Sequence, residues 1–201
     1  MNYNIKIVHY LPNVDRKEYL DDKLSSFSNV TWFEKFQSEA ELYPVKFKIT
    51  NKEMLVWQAH HYLLTQECEA AGDSDSRFII LEDDTIIPEN FDLDAFFNNA
   101  LDEFHKSDAD LLFLGKIPGL EVYTPVAGKL VYQDVPQQSV CTHAYSVKTS
   151  KIRGLLDKFE TNLPIDHEFN RLIAVHGLKV AWTFPALEQG TIINKYKSNL
   201  R

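Results

Sequence analysis

Phe78-Ile79-Ile80-Leu81-Glu82-Asp83-Asp84, followed by Thr85-Ile86-Ile87-Pro88, is the stretch that decides the fold of this chain. Four large apolar residues without alternation describe a strand covered on both faces, so the three acids stand where a buried strand leaves the core. Adjacent like charges at such a place repel one another and resist desolvation. A bound divalent cation or a raised pKa relieves that repulsion. Metal-assisted chemistry is therefore the leading expectation, set against the plainer one of a solvated strand end or of caps for the following turn.

Around this strand the sequence alternates between strand-like and helix-like stretches. That is the pattern of an α/β domain with a mostly parallel central sheet flanked by helices. Upstream, Ile5 to Tyr10 reads as a first strand, and Asp15 with Glu18 resembles a capping box for a helix through Leu24 and Phe27. Val30 to Phe36 reads as a second extended segment. Thr50 with Glu53 repeats the capping pattern for a helix carrying Met54, Leu55, Tyr62, Leu63 and Cys68, and Gly72 is placed to stop it. Downstream, Phe96, Phe97, Ala100, Leu101 and Phe104 share one helix face, and Leu111 to Leu114 is an apolar strand closing at Gly115. Residues 116–147 change character. Pro118, Gly119, Pro125, Gly128 and Pro136 punctuate short β-like pieces such as Lys129 to Tyr132 and Val140 to Val147, an irregular excursion suited to walling a pocket. A helix with Ile152, Leu155, Leu156 and Phe159, the run Leu163-Pro164-Ile165-Asp166, a helix ending near His176-Gly177 and a strand from Leu178 to Trp182 complete the pattern.

Composition bounds the function. With 201 residues and 44% hydrophobic content the chain can bury one full core, so residues 1–201 are expected to form a single domain. A net charge of -8 argues against gripping nucleic acid or anionic lipid over a broad face. The first residues lack the basic head and apolar stretch of an export signal, and no segment approaches the ~18 apolar residues of a membrane span. The expectation is a soluble, cytoplasmic protein without a transmembrane segment, with peripheral attachment at the inner membrane face left open; oligomeric state is not legible. Cys68 and Cys141 have neither disulfide-scaffold nor zinc spacing and read as core fillers.

In open α/β sheets ligands bind beyond the carboxyl ends of the strands, where Glu82, Asp83 and Asp84 lie. If the strand stays extended through them, Glu82 and Asp84 project to one side and Asp83 to the other. Two carboxylates so placed can share one cation. Hard oxygen ligands favour magnesium, manganese or calcium, with a bound diphosphate completing the shell.

Ile80-Leu81-Glu82-Asp83-Asp84 with its flanks resembles glycosyltransferase family 25, the lipopolysaccharide and collagen galactosyltransferase relatives with a GT-A-like nucleotide-sugar fold. Further pieces follow in the family's order. Ile7-Val8-His9-Tyr10-Leu11 with Asp15-Arg16 is similar to its opening strand and arginine element, and Thr50-x-x-Glu53 before Ala59-His60 is similar to its Gly-Glu-x-Gly-Cys-x-x-Ser-His stretch. Ala144-Tyr145-Ser146-Val147, Leu155-Leu156 and Leu163-Pro164-Ile165-Asp166 are similar to its Ala-Tyr-x-x-Ser block and Pro-x-Asp element. The chain departs from the pattern at Ala59, where serine precedes histidine, in lacking the Gly-Cys pair, and at Lys148-Thr149-Ser150, where the family has Ser-Arg-x-Gly-Ala.

The resemblance implies inverting transfer of a hexose, most often galactose, from a UDP-sugar to a glycan or lipid-linked saccharide acceptor such as lipopolysaccharide. It implies Mn2+ or Mg2+ on Asp84 and Glu82, with Asp83, Arg16 and His60 as donor-binding residues. Asp166 is then the expected general base, since an inverting displacement must deprotonate the acceptor hydroxyl. Glu188 in Pro185-Ala186-Leu187-Glu188-Gln189-Gly190 is the reserve. Each has a plainer alternative. Asp166 after proline also looks like an ordinary N-cap, His60 like a hydrogen-bonded packing residue, and Arg16 like solvated surface. Trp57, Tyr62 and Trp182 read as core, while Tyr123 and Tyr132 lie better for an acceptor.

Two other classes stay open. A phosphoryl-transfer enzyme would also use a metal at clustered acids, but it wants an aspartate nucleophile where Glu82 stands. A non-catalytic relative that binds sugar nucleotides or glycans is kept open by the departures at Ala59 and Lys148.

Overall fold

The computed structural model describes residues 3–35, 49–115, 126–133, 142–191 and 195–196. Among them, β1 (Asn4–Val8), β2 (Val30–Phe33), β3 (Phe78–Glu82), β4 (Thr85–Ile86), β5 (Leu111–Gly115), β6 (Val131–Tyr132), β7 (Ala144–Val147) and β8 (Val180–Gln189) form one sheet. Its helices are α1 (Val14–Lys23), α2 (Asn51–Ala71), α3 (Leu93–Lys106), α4 (Thr149–Ile152), which runs into a 3-10 turn over Arg153–Lys158, and α5 (Ile165–His176).

The sheet order is β2-β1-β3-β7-β5-β8-β4, with β6 added to β8. It is mixed. β1 pairs in parallel with β2 and β3, and β5 with β8, but β7 runs antiparallel between β3 and β5. β4 and β6 are also antiparallel to β8. The α/β class expected from the sequence is present, but the sheet is mixed and not mostly parallel: three pairings are parallel and four antiparallel, with β7 reversed at its centre. Its alternating neighbours hide this, because a short apolar strand reads the same in either direction.

Alternation along β3 splits the core into two layers. Ile79 and Leu81 pack with Leu20 of α1 and Phe97 and Phe104 of α3. Phe78 and Ile80 pack with Leu63 and Leu64 of α2 and Phe169 and Leu172 of α5. Each such side chain, fully buried, contributes about 1.5–3 kcal/mol. Strand β3 is thus fixed from both faces, and its acidic end cannot drift.

The helix boundaries follow local chemistry in most places. Thr50 Oγ1 accepts from Glu53 N while the Glu53 carboxylate accepts from Thr50 N, so the expected capping box opens α2. Gly72 ends it with φ 55°, a value that favours glycine. At α1 the expectation fails. The helix begins at Val14 behind Asn13, which makes no side-chain cap; its amide is drawn to Asp83 instead. The last strand is longer than the expected Leu178 to Trp182, continuing through Phe184 and Pro185 to Gln189. Much of the 116–147 excursion, with Tyr123 and Cys141, lies outside the described residues.

Candidate functional site

Strand β3 ends at Glu82, and Asp83 and Asp84 form the turn that follows. The three carboxylates therefore meet three different environments.

Asp83 faces α1. Its Oδ2 accepts from Tyr10 N at 3.1 Å and Asn13 Nδ2 at 2.9 Å and lies 3.1 Å from His9 Nδ1, while Oδ1 accepts from Arg16 Nη1 at 2.9 Å. Burial pushes this carboxyl up, but hydrogen bonds from His9, Asn13 and Tyr10 N and the Arg16 charge outweigh it and hold the group below its usual value. Three groups converge on Oδ2 and one on Oδ1, so this carboxylate is heavily engaged. Asp83 and Arg16, the expected donor contacts, are paired with each other between β3 and α1.

Glu82 faces α2. Its Oε1 accepts from Thr142 Oγ1 at 2.6 Å and lies 3.2 Å from His60 Nε2. Burial acts to raise the Glu82 carboxyl, yet the close approach of His60, with the Thr142 hydrogen bond and His143 adding, brings it below the ordinary range. His60 is fully buried, and its Nδ1 lies 2.9 Å from Tyr145 Oη. This residue, an expected donor contact, lies buried beneath Glu82.

Asp84 turns toward the end of β8. Its Oδ2 accepts from Thr191 Oγ1 at 2.8 Å and Gln189 Nε2 at 3.1 Å, and its carbonyl accepts from Gly190 N at 2.7 Å. Oδ1 is buried and has no hydrogen-bond partner among the described residues. Burial first, then the charge of Glu82, pushes this carboxyl up to about 7, with Thr191 and Arg16 opposing and Asp83 adding. A buried carboxylate oxygen without a donor is what a hard cation would satisfy.

Asp166 belongs to the same field. Pro164 is the N-cap of α5 and makes no side-chain cap, so Asp166 sits inside the first turn and is not the cap residue. Its Oδ1 accepts from His167 N at 2.8 Å. Burial raises its carboxyl, His167 opposes, and the charge of Glu82 raises it further. Glu82 therefore acts on both Asp84 and Asp166. Glu188 pairs with Ile86 across β4 and β8, one residue before the Gln189 that reaches Asp84, so alternation sends it to the other side of the strand. There its charge, after burial, is among those that raise the Tyr19 phenol.

The floor of the site is His143, which the sequence reading passed over. Its carbonyl accepts from Glu82 N at 2.8 Å and lies 2.6 Å from Thr85 Oγ1. Its ring lies against Gly115, where a Cβ would come within 2.1 Å of Nε2. Burial lowers the affinity of this imidazole for a proton, with Glu82 and the Leu187 carbonyl opposing. Thr142, His143, Gln189 and Thr191 are polar residues at strand ends, and that is the one local signal they carry. Trp57 and Trp182 are core as expected; Tyr132 is buried too, its hydroxyl bonded to the backbone at Val126 and Lys129.

Among the described residues no three His, Cys, Asp or Glu side chains form a ready-made metal cluster. Asp84 Oδ1, buried and without a hydrogen-bond partner among the described residues, and the Glu82 carboxylate, whose charge raises the Asp84 carboxyl, could hold a hard cation, with further oxygens from a ligand. No helix among the described residues is long and apolar enough to cross a membrane. No protein-family model matches the chain, and no curated protein matches it.

Proposed function

We propose that this chain is a metal-dependent inverting glycosyltransferase with a GT-A-like use of its sheet. It moves a hexose, galactose by resemblance, from a UDP-sugar to a glycan or lipid-linked saccharide acceptor. The observation that carries this reading is the buried, unpartnered Oδ1 of Asp84 beside Glu82 at the carboxyl end of β3.

Asp84 and Glu82 would hold Mn2+ or Mg2+, which when bound supplies positive charge to the diphosphate leaving group. Asp83 keeps the β1–α1 loop, with His9, Tyr10 and Asn13, against that end of the strand. Asp166 takes the proton of the acceptor hydroxyl. Its carboxyl is raised by burial and by Glu82, which makes it a stronger base than an exposed aspartate. His143 and Tyr145, both fully buried, back the acids and keep water from that side.

The test is a panel of UDP-sugars with Mn2+ and glycan acceptors, read as UDP released. Metal-dependent release that needs both a UDP-sugar and an acceptor is expected. Binding without release under every acceptor would favour the non-catalytic reading, and no binding of any UDP-sugar with millimolar Mn2+ would overturn the proposal.

A further inference from the structure

Behind Glu82 lies a chain of contacts that the proposed chemistry does not use. Tyr145 on β7, His60 on α2, Glu82 on β3 and Thr142 just before β7 are joined side chain to side chain. Tyr145 and His60 are fully buried, and their rings stack at 5.6 Å with 27° between planes. His60 Nδ1 is 2.9 Å from Tyr145 Oη, and Nε2 is 3.2 Å from Glu82 Oε1 but off the line of a hydrogen bond. A buried ring nitrogen aimed at a carboxylate, with its other nitrogen anchored, is the arrangement that orients a carboxylate ligand from behind.

We infer that His60, anchored by the Tyr145 hydroxyl, is a positioning residue for Glu82, holding Oε1 back so that Oε2 is the oxygen offered to the cleft. This rests on the proposed metal-dependent reading for its purpose, though not for its geometry. Nε2 faces the Glu82 carboxylate, which favours the tautomer with the proton on Nε2 and leaves Nδ1 to accept from the Tyr145 hydroxyl. Thr142 supplies the second restraint on the same oxygen. With Thr142 bonded to Oε1 and the His60 ring 3.2 Å behind the same oxygen, rotation of the carboxylate is restrained, and a cation would meet Oε2. The aromatic ring of Tyr145 also packs edge-on against Phe169 of α5, so the anchor is itself fixed by the core. Full enclosure explains why His60 is suited to this task and not to touching a substrate.

The experiment compares wild type with His60→Gln, His60→Ala and Tyr145→Phe by two independent readouts. The first is crystal structures of the variants together with 15N NMR of the imidazole nitrogens in wild type and Tyr145→Phe. Expected are a displaced Glu82 carboxylate in His60→Ala, a carboxylate near its wild-type place in His60→Gln, and a change in the His60 tautomer signal in Tyr145→Phe. An unmoved Glu82 in His60→Ala would overturn the inference; should that variant not fold, an unchanged tautomer signal in Tyr145→Phe would do so. The second is affinity for Mn2+ with UDP as probe. Loss by about 10–100-fold in His60→Ala, partly restored in His60→Gln, is expected. Equal affinity in wild type and His60→Ala would also overturn it. Failure of wild type itself to bind Mn2+ with UDP would sink the functional reading and leave the structural readout to decide the role of His60.

Discussion

Arg16 Nη1 lies 2.9 Å from Asp83 Oδ1, and both side chains are more than nine-tenths enclosed. The pair joins the first helix to the acidic turn, and three more donors converge on the same carboxylate. Asp83 is thus a knot in the fold at the edge of the candidate site.

Removing it is expected to be severe. Asp83→Ala leaves the enclosed Arg16 without its carboxylate, a change that destabilises by about 3–5 kcal/mol. Because Asp83 is held below its ordinary pKa, its stabilisation is present above the unfolded-state value and is lost as pH falls through the lower folded value. Urea unfolding near neutral pH checks this, and a loss below about 1 kcal/mol would show that the knot carries little.

Asp84 carries the opposite sign. Its folded carboxyl is raised to about 7 from 3.8, so the folded state binds the proton more tightly than the unfolded chain does. Its favourable contribution is complete below the unfolded value and is lost as pH rises through about 7. Asp84→Asn should therefore gain stability relative to wild type across that window, by at most about 4 kcal/mol. Parallel stability profiles of the two proteins from acid to mildly alkaline pH would contradict this.

Gly115 leaves room for the His143 ring. Gly115→Ala would put a Cβ 2.1 Å from His143 Nε2, and that ring is fully buried. Overpacking of this kind destabilises by about 1–3 kcal/mol. The His143 carbonyl receives Glu82 N, so the shift reaches the acid site as well. Thermal denaturation checks the first effect, and an unchanged melting temperature would mean that the ring moves aside freely.

The proposed role of Asp166 separates binding from chemistry. Asp166→Asn should retain binding of a UDP-sugar with Mn2+ and lose transfer by about a hundred- to ten-thousandfold. Turnover equal to wild type would remove Asp166 as the base.

The legible parts of this chain were those fixed by neighbours in sequence. The apolar run of β3, the Thr50 and Glu53 box, the stop at Gly72 and the buried face of α3 all follow from local pattern. The opposite facing of Glu82 and Asp83 also followed from strand alternation. Asp84 escaped that rule because the chain turns after Glu82. The antiparallel β7 between β3 and β5 was not legible, since pairing partners are set by the whole sheet. Pro185 hid the continuation of β8, and with it Gln189 and Thr191 as partners of Asp84. No local pattern marks the bond from Asn13 to Asp83, because the two are 70 positions apart.

The central claim is that Asp84, beside Glu82, holds a divalent ion against a nucleotide diphosphate. Its most direct test is the melting temperature of wild type and Asp84→Asn with UDP, with and without Mn2+. UDP is expected to raise the melting temperature of wild type only when Mn2+ is present, and Asp84→Asn, folded, to show no such rise. Equal shifts in both proteins, or none in wild type at millimolar metal and UDP, would contradict it.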